Sequence, residues 1–163
     1  MVVQEVPLIF SPRVEKVVLR APGRLLALFV SLTCLSVMVT AARLQPSPTG
    51  MGTHTQLGLE PCLFARQTGL PCPSCGMTTS FAWFARGNIL ASFYIQPMGA
   101  VLAILFVVTF WGGVYAAVTA RPVYQLVKLG PTRYYFPMLF GWAILAWGWK
   151  IYIHLHGIDG WRG

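Results

Sequence analysis

Acidic side chains are almost missing from this chain. Glu5, Glu15, Glu60 and Asp159 are the four among 163 residues. They lie too far apart to divide general-acid and general-base work between paired carboxylates. Charge of either sign is scarce, at 10% of residues, where soluble domains carry about a quarter. No glycine-rich phosphate loop occurs. Histidine is limited to His54, His154 and His156. The last two follow an apolar run, where haem ligation is one reading and a place at the membrane surface the simpler one.

Apolar residues fill the space that charge leaves. They make up 56% of the chain, with 13% aromatic residues and six tryptophans. One domain of this composition belongs in a bilayer, with Trp and Tyr at its interfaces. The net charge of +8 comes from scattered basic residues that flank apolar runs. Nucleic acid would call for a clustered basic stripe. We therefore expect no nucleic-acid partner, and expect these charges to set topology and meet lipid headgroups.

A membrane-crossing helix needs about 20 mostly apolar residues, and three runs qualify. The first spans 25–42, between Arg24 and Arg43, after a basic N-terminal segment 1–24 containing Arg13, Lys16 and Arg20. Thr40-Ala41-Ala42 looks like a signal-peptide cleavage site, but the run exceeds a usual signal core, so an uncleaved anchor is expected. The second spans 98–120, with Pro97 at its start. Its Gly112, Gly113, Ala116 and Ala117 form a small-residue face suited to close helix approach, either by the third span or by another subunit. The third spans 134–155 and holds one charge, Lys150, expected to snorkel toward the headgroups.

The expected architecture is an all-α integral membrane domain, 25–163, with three transmembrane helices. A cysteine-rich loop and short helices occupy 43–97. The stretch from Gln45 to Gly52 reads as irregular. Met77 to Arg86 reads as a helix too short to span, interfacial or re-entrant, with Met77, Phe81 and Phe84 on one face. Gly87 is its expected C′ residue, and Asn88 the cap of the next helix. Basic residues number seven on the N-terminal side of the membrane (Arg13, Lys16, Arg20, Arg24, Arg121, Lys128, Arg133) and four on the other (Arg43, Arg66, Arg86, Arg162). That bias turns the cysteine loop away from the cytoplasm.

Cys62, Cys72 and Cys75 fall within fourteen positions. Prolines at 71 and 73 stiffen the backbone around Cys72, and Gly76 permits a turn that a side chain would block. Such a knuckle suits three chemistries. It could hold a metal, zinc being the simplest, with Cys62, Cys72, Cys75 and His54 as ligands. It could be a disulfide from Cys62 to Cys72 or Cys75, closing a loop worth about 3 kcal/mol in the chain-entropy model. It could be a redox pair, Cys72 and Cys75, at a helix that Pro73 delays to Ser74 or Cys75. Cys34, mid-span, reads as a small apolar residue.

The run from Cys62 through Thr68-Gly69-Leu70-Pro71-Cys72-Pro73-Ser74-Cys75-Gly76-Met77-Thr78 resembles a large family of small bacterial membrane proteins labelled as a domain of unknown function. Arg86-Gly87 and Pro97-Met98-Gly99 match later positions of its pattern. The resemblance covers about residues 60 to 120. It implies a two- or three-span architecture with a short helix after the motif and a bacterial membrane location, and it supplies no activity; in a bacterial inner membrane the basic-residue bias puts the loop in the periplasm. The function expected is a non-enzymatic accessory or assembly subunit, in contact with lipid and other membrane subunits, whose knuckle is structural. The alternative is a membrane thiol-disulfide oxidoreductase.

Overall fold

The computed structural model describes residues 19–121 and 135–161, and among these the regular elements are all helices. The expected roles of Arg13, Lys16, Lys128, Arg133 and Arg162 lie outside the described residues. Six α-helices follow one another: α1 Ala21–Arg43, α2 Leu63–Thr68, α3 Met77–Ala85, α4 Ile89–Ile95, α5 Pro97–Thr119 and α6 Tyr135–Leu155. A 3-10 helix, Thr53–Leu57, precedes α2. Helices α1, α5 and α6 are each long and apolar enough to cross a membrane.

Local signals explain most boundaries. Proline opens both α1 and α5, where a missing N–H costs nothing because first-turn donors have no helical partner. Gly87 takes φ +82° after α3. Asn88 caps α4, its side chain accepting from the Ala91 amide at 2.9 Å. The 3-10 helix and α2 follow the 45–52 stretch, which is irregular as expected, and their positions were not marked in the sequence. Both are a few residues long, too short for periodicity to reveal.

Helices α1 and α5 pack antiparallel along their length. Arg24 Nε donates to the Ala117 carbonyl at 2.8 Å, and Ser31 Oγ lies 3.2 Å from the Phe110 carbonyl. A Cβ on Gly113 would collide with Ser31 Oγ and lie 2.9 Å from the Ala27 carbonyl oxygen. The small-residue face of α5 is therefore filled by the first span, which corrects the expectation of the third span or another subunit. Apolar attraction between helices is weak in lipid, so close backbone approach and the Ser31 hydroxyl decide the pairing.

Helix α3 lies across α1, α4 and α5 with Thr79, Ser80 and Ala82 inward. Its apolar residues sit nearer the surface, and Phe81 meets Phe106 edge-on at 5.5 Å. This inverts the soluble pattern. Buried Ser80 lies 2.9 Å from the Ser92 carbonyl and 2.8 Å from its hydroxyl, while lipid accepts the larger apolar groups.

Replacing Gly113 by Leu should overpack the α1–α5 interface at a cost of about 1–3 kcal/mol. The thermal midpoint in mild detergent should fall with no change in oligomeric mass. An unchanged midpoint would contradict this packing.

Candidate functional site

The knuckle is held from both sides by its prolines. A proline lacks a donor but keeps its carbonyl acceptor, and both carbonyls are used. Gln96 Nε2 donates to Pro73 O at 2.8 Å, and Trp147 Nε1 donates to Pro71 O at 2.9 Å. Between them the Cys75 amide closes a turn onto the Cys72 carbonyl at 3.0 Å. Gly76 follows at φ +88°, where a Cβ would lie 2.9 Å from Gly50 O and 3.3 Å from Lys150 Cε. Helix α3 begins only at Met77. That start agrees with the helix expected over Met77 to Arg86; the start at Ser74 or Cys75 supposed in the redox reading is not found, because the left-handed Gly76 leaves Cys75 before the helix.

Three sulfurs converge here. The Sγ atoms of Cys62, Cys72 and Cys75 all lie within 4.8 Å of one another, and Cys72 and Cys75 are 3.0 Å apart. Cys75 is buried, and the other two are partly open. A tetrahedral zinc site with 2.3 Å bonds places its sulfurs roughly 3.8 Å apart, inside this range. Cys34 is buried in α1 and is not a member of the cluster. His54 lines the same cleft of about 680 Å³, but its Nε2 lies 3.2 Å from the Glu60 carbonyl and is not grouped with the sulfurs.

The two knuckle thiols are electrostatically unequal. Burial pushes Cys75 up, and with Cys72 already placed to be the thiolate its pKa reaches about 12. Burial also opposes ionisation of Cys72, but hydrogen bonds from Cys75, Ser74 and Cys62 outweigh it and lower the thiol to about 7. A negative sulfur at Cys72 thus sits among donors, and the cleft around it is bordered by Arg66 and His154.

The residue that sequence reasoning misplaced is Lys150. It does not snorkel. Its side chain is wholly buried, 3.1 Å from Asp159 Oδ1 and 3.4 Å from the Gly50 carbonyl. The other Asp159 oxygen meets His154 Nδ1, and His154 Nε2 lies 3.1 Å from the Gly69 carbonyl. Tyr94 adds a hydroxyl bond to Ile158 O at 2.7 Å. The turn after α6 thus folds Asp159 back onto the helix, and Lys150 and His154 tie this end to the cysteine loop at Gly50 and Gly69. His154 is a strut here, and His156 turns to Tyr152 O at 2.8 Å. A single charge inside an apolar run was the available signal. Its partner lies beyond the helix end, where periodicity is silent.

A family described as a protein of unknown function (DUF2752) matches residues 62–110. That stretch runs from Cys62 into α5 and contains all three clustered cysteines. The chain is similar to this family over less than half its length. No curated protein and no solved structure matches the chain.

Removing one partner of a buried pair leaves the other charge uncompensated, at about 3–5 kcal/mol. Lys150→Met and Asp159→Asn should each destabilise the protein by about that much, and the double variant by much less than their sum. Additive losses in a thermal double-mutant cycle would deny the pairing. A second expectation concerns pH. In metal-free protein, iodoacetamide should modify Cys72 about tenfold faster at about pH 8 than at about pH 6, levelling off above, because its thiolate fraction rises through about 7. Cys75 should stay unmodified across that range. A flat Cys72 profile in peptide mass mapping would contradict the assignment.

Proposed function

We propose that this chain is a non-enzymatic accessory or assembly subunit of the membrane, whose outer face is organised by a thiolate metal centre. The observation that carries the reading is the convergence of Cys62 with Cys72 and Cys75, since a redox couple needs only two sulfurs. Soft thiolates select zinc or a similarly soft ion over the hard cations that oxygen ligands hold. His54, on the wall of the same cleft, is the protein's candidate for the fourth position. Uptake must displace the Cys75 proton, so affinity rises with pH.

The subunit role rests on what the bundle leaves open. Phe136, Met138 and Phe140 on α6 are largely exposed, and an apolar groove separates α5 from α6. Only lipid or another membrane helix suits such surfaces. We place the protein in a bacterial inner membrane with the cysteine face in the periplasm, on the strength of the basic-residue bias. We place no nucleic acid among its partners.

One observation favours a second reading. Cys72 is accessible and lowered toward neutrality beside a protonated Cys75, the asymmetry of a dithiol that attacks and resolves. In that reading the Cys72 thiolate attacks an incoming disulfide and releases one substrate thiolate, which takes a proton; Cys75 then gives up its proton and attacks Cys72 Sγ, forming the Cys72–Cys75 disulfide and releasing the second substrate thiol, so the substrate is reduced and the pair oxidised.

Metal analysis of protein purified under reducing conditions decides between them. We expect about one zinc per chain, lost on Cys62→Ser, Cys72→Ser or Cys75→Ser and weakened on His54→Ala. Zinc absent from the wild type, with Cys72 and Cys75 cycling between dithiol and disulfide at a defined potential while Cys62→Ser has no effect, would establish the redox reading instead.

A further inference from the structure

The thiol cleft does not end at the knuckle. Met77 and Thr78 form one of its walls and also the wall of a second, apolar groove of about 370 Å³. The groove is bounded by Val37 and Ala41 of α1, by Leu44 just after it, by Leu57 and by Phe81, and it reaches as deep as Ser36. From Leu44 to Ser36 is about 12 Å along a helix axis, close to the half-thickness of a bilayer core of roughly 30 Å. The α1 surface beside it is open, with Leu32, Leu35, Val37 and Val39 exposed. In a membrane-crossing helix that surface meets lipid, so the groove is continuous with the acyl region.

The dimensions select the occupant. A volume of about 370 Å³ spread over about 12 Å leaves a cross-section of roughly 30 Å², the width of one hydrocarbon chain and well short of a helix about 10 Å across. The upper end selects the headgroup. Arg66, His54 and His154 border the thiol cleft, and no Asp or Glu is among its lining residues. His154 is already held by Asp159, so Arg66 is the cation that meets the head; among the described residues its carboxylate neighbour is Glu60 at 4.0 Å, and both side chains are well exposed.

We infer that this face binds an anionic membrane amphiphile, with one alkyl or isoprenoid chain in the α1–α3 groove and its phosphate or carboxylate head in the thiol cleft. The inference rests on the proposed cysteine centre for its location. It deepens that reading by naming what the centre faces: a ligand delivered from the outer leaflet. Water does not compete for an apolar groove open to lipid, whereas a chain fills it and carries its head to the sulfurs.

The test uses the full chain, metal-free, in phosphatidylcholine vesicles, and follows alkylation of Cys72 by uncharged N-ethylmaleimide. Dodecyl phosphate at a few mol per cent of lipid should slow alkylation about fivefold or more. Dodecanol at the same fraction and inorganic phosphate at the same total concentration should not. Val37→Trp, on the exposed side of the groove, should abolish the protection while leaving the unprotected rate unchanged. Leu57→Trp should do the same and covers the case in which the first variant fails to fold. Arg66→Gln should weaken protection. Protection by inorganic phosphate alone, undiminished protection in both tryptophan variants, or none with dodecyl phosphate would each overturn the inference. Zinc content measured on the untreated preparations keeps the two readings separable. Normal zinc without protection removes the amphiphile alone, and protection without zinc removes the metal centre alone.

Discussion

A buried ammonium ion needs a counter-charge and oxygen acceptors, and this requirement organises the cysteine-bearing end of the protein. Lys150 projects from α6 into the bundle, where Asp159 and the Gly50 carbonyl receive it. Meeting that demand bends the chain after α6 back on itself and draws in the 45–52 loop. It also places His154 against the loop that carries the cysteines. The ion pair is not a large source of stability in itself, because desolvation offsets much of its attraction. Its effect is geometric: other arrangements of these segments would strand a charge.

The same logic recurs at lower stakes. Ser31, Ser80, Ser92, Thr79 and Gln96 are all buried, and each is placed where it can meet another chain segment. Thr53 and Thr79 share a hydroxyl bond of 2.8 Å that pins the 3-10 helix to α3. Gln96, at the junction of α4 and α5, reaches the knuckle itself. In a setting without water, small polar groups do the joining that apolar side chains do in a soluble core. The cysteine loop is thus suspended between two membrane helices, by Gln96 before α5 and by Trp147 and Lys150 on α6.

That suspension explains how Cys72 and Cys75, two thiols of unequal acidity, share one place with Cys62. Cys75 is drawn inward by the turn that Gly76 allows, while Cys72 is held at the cleft wall by its neighbouring prolines. Cys62, at the start of α2, arrives from a separate segment. The three sulfurs lie close enough together to hold a metal ion, and a cleft adjoins them.

Much of the fold was legible in the sequence. Apolar length alone identifies the three long helices, because a bilayer requires them; Pro97 marked the start of α5, and Gly87 and Asn88 the junction of α3 and α4, through local backbone chemistry. The C-P-S-C-G knuckle was equally plain, since proline and glycine act through φ wherever they stand. The partners of these elements were not legible. Gly113 announced a close helix approach but not whose helix, because a small face is complementary to any backbone and only the Ser31 hydroxyl and Arg24 select α1. Lys150 announced a charge in an apolar run but not its counter-ion, which lies past a turn. His54 stood near the cysteines in sequence and not within their cluster, while His154 stood far away and joined the loop. Local signals determine elements because they act within a few bonds. The tertiary structure decided which elements meet, because that depends on where each buried polar group finds its partner.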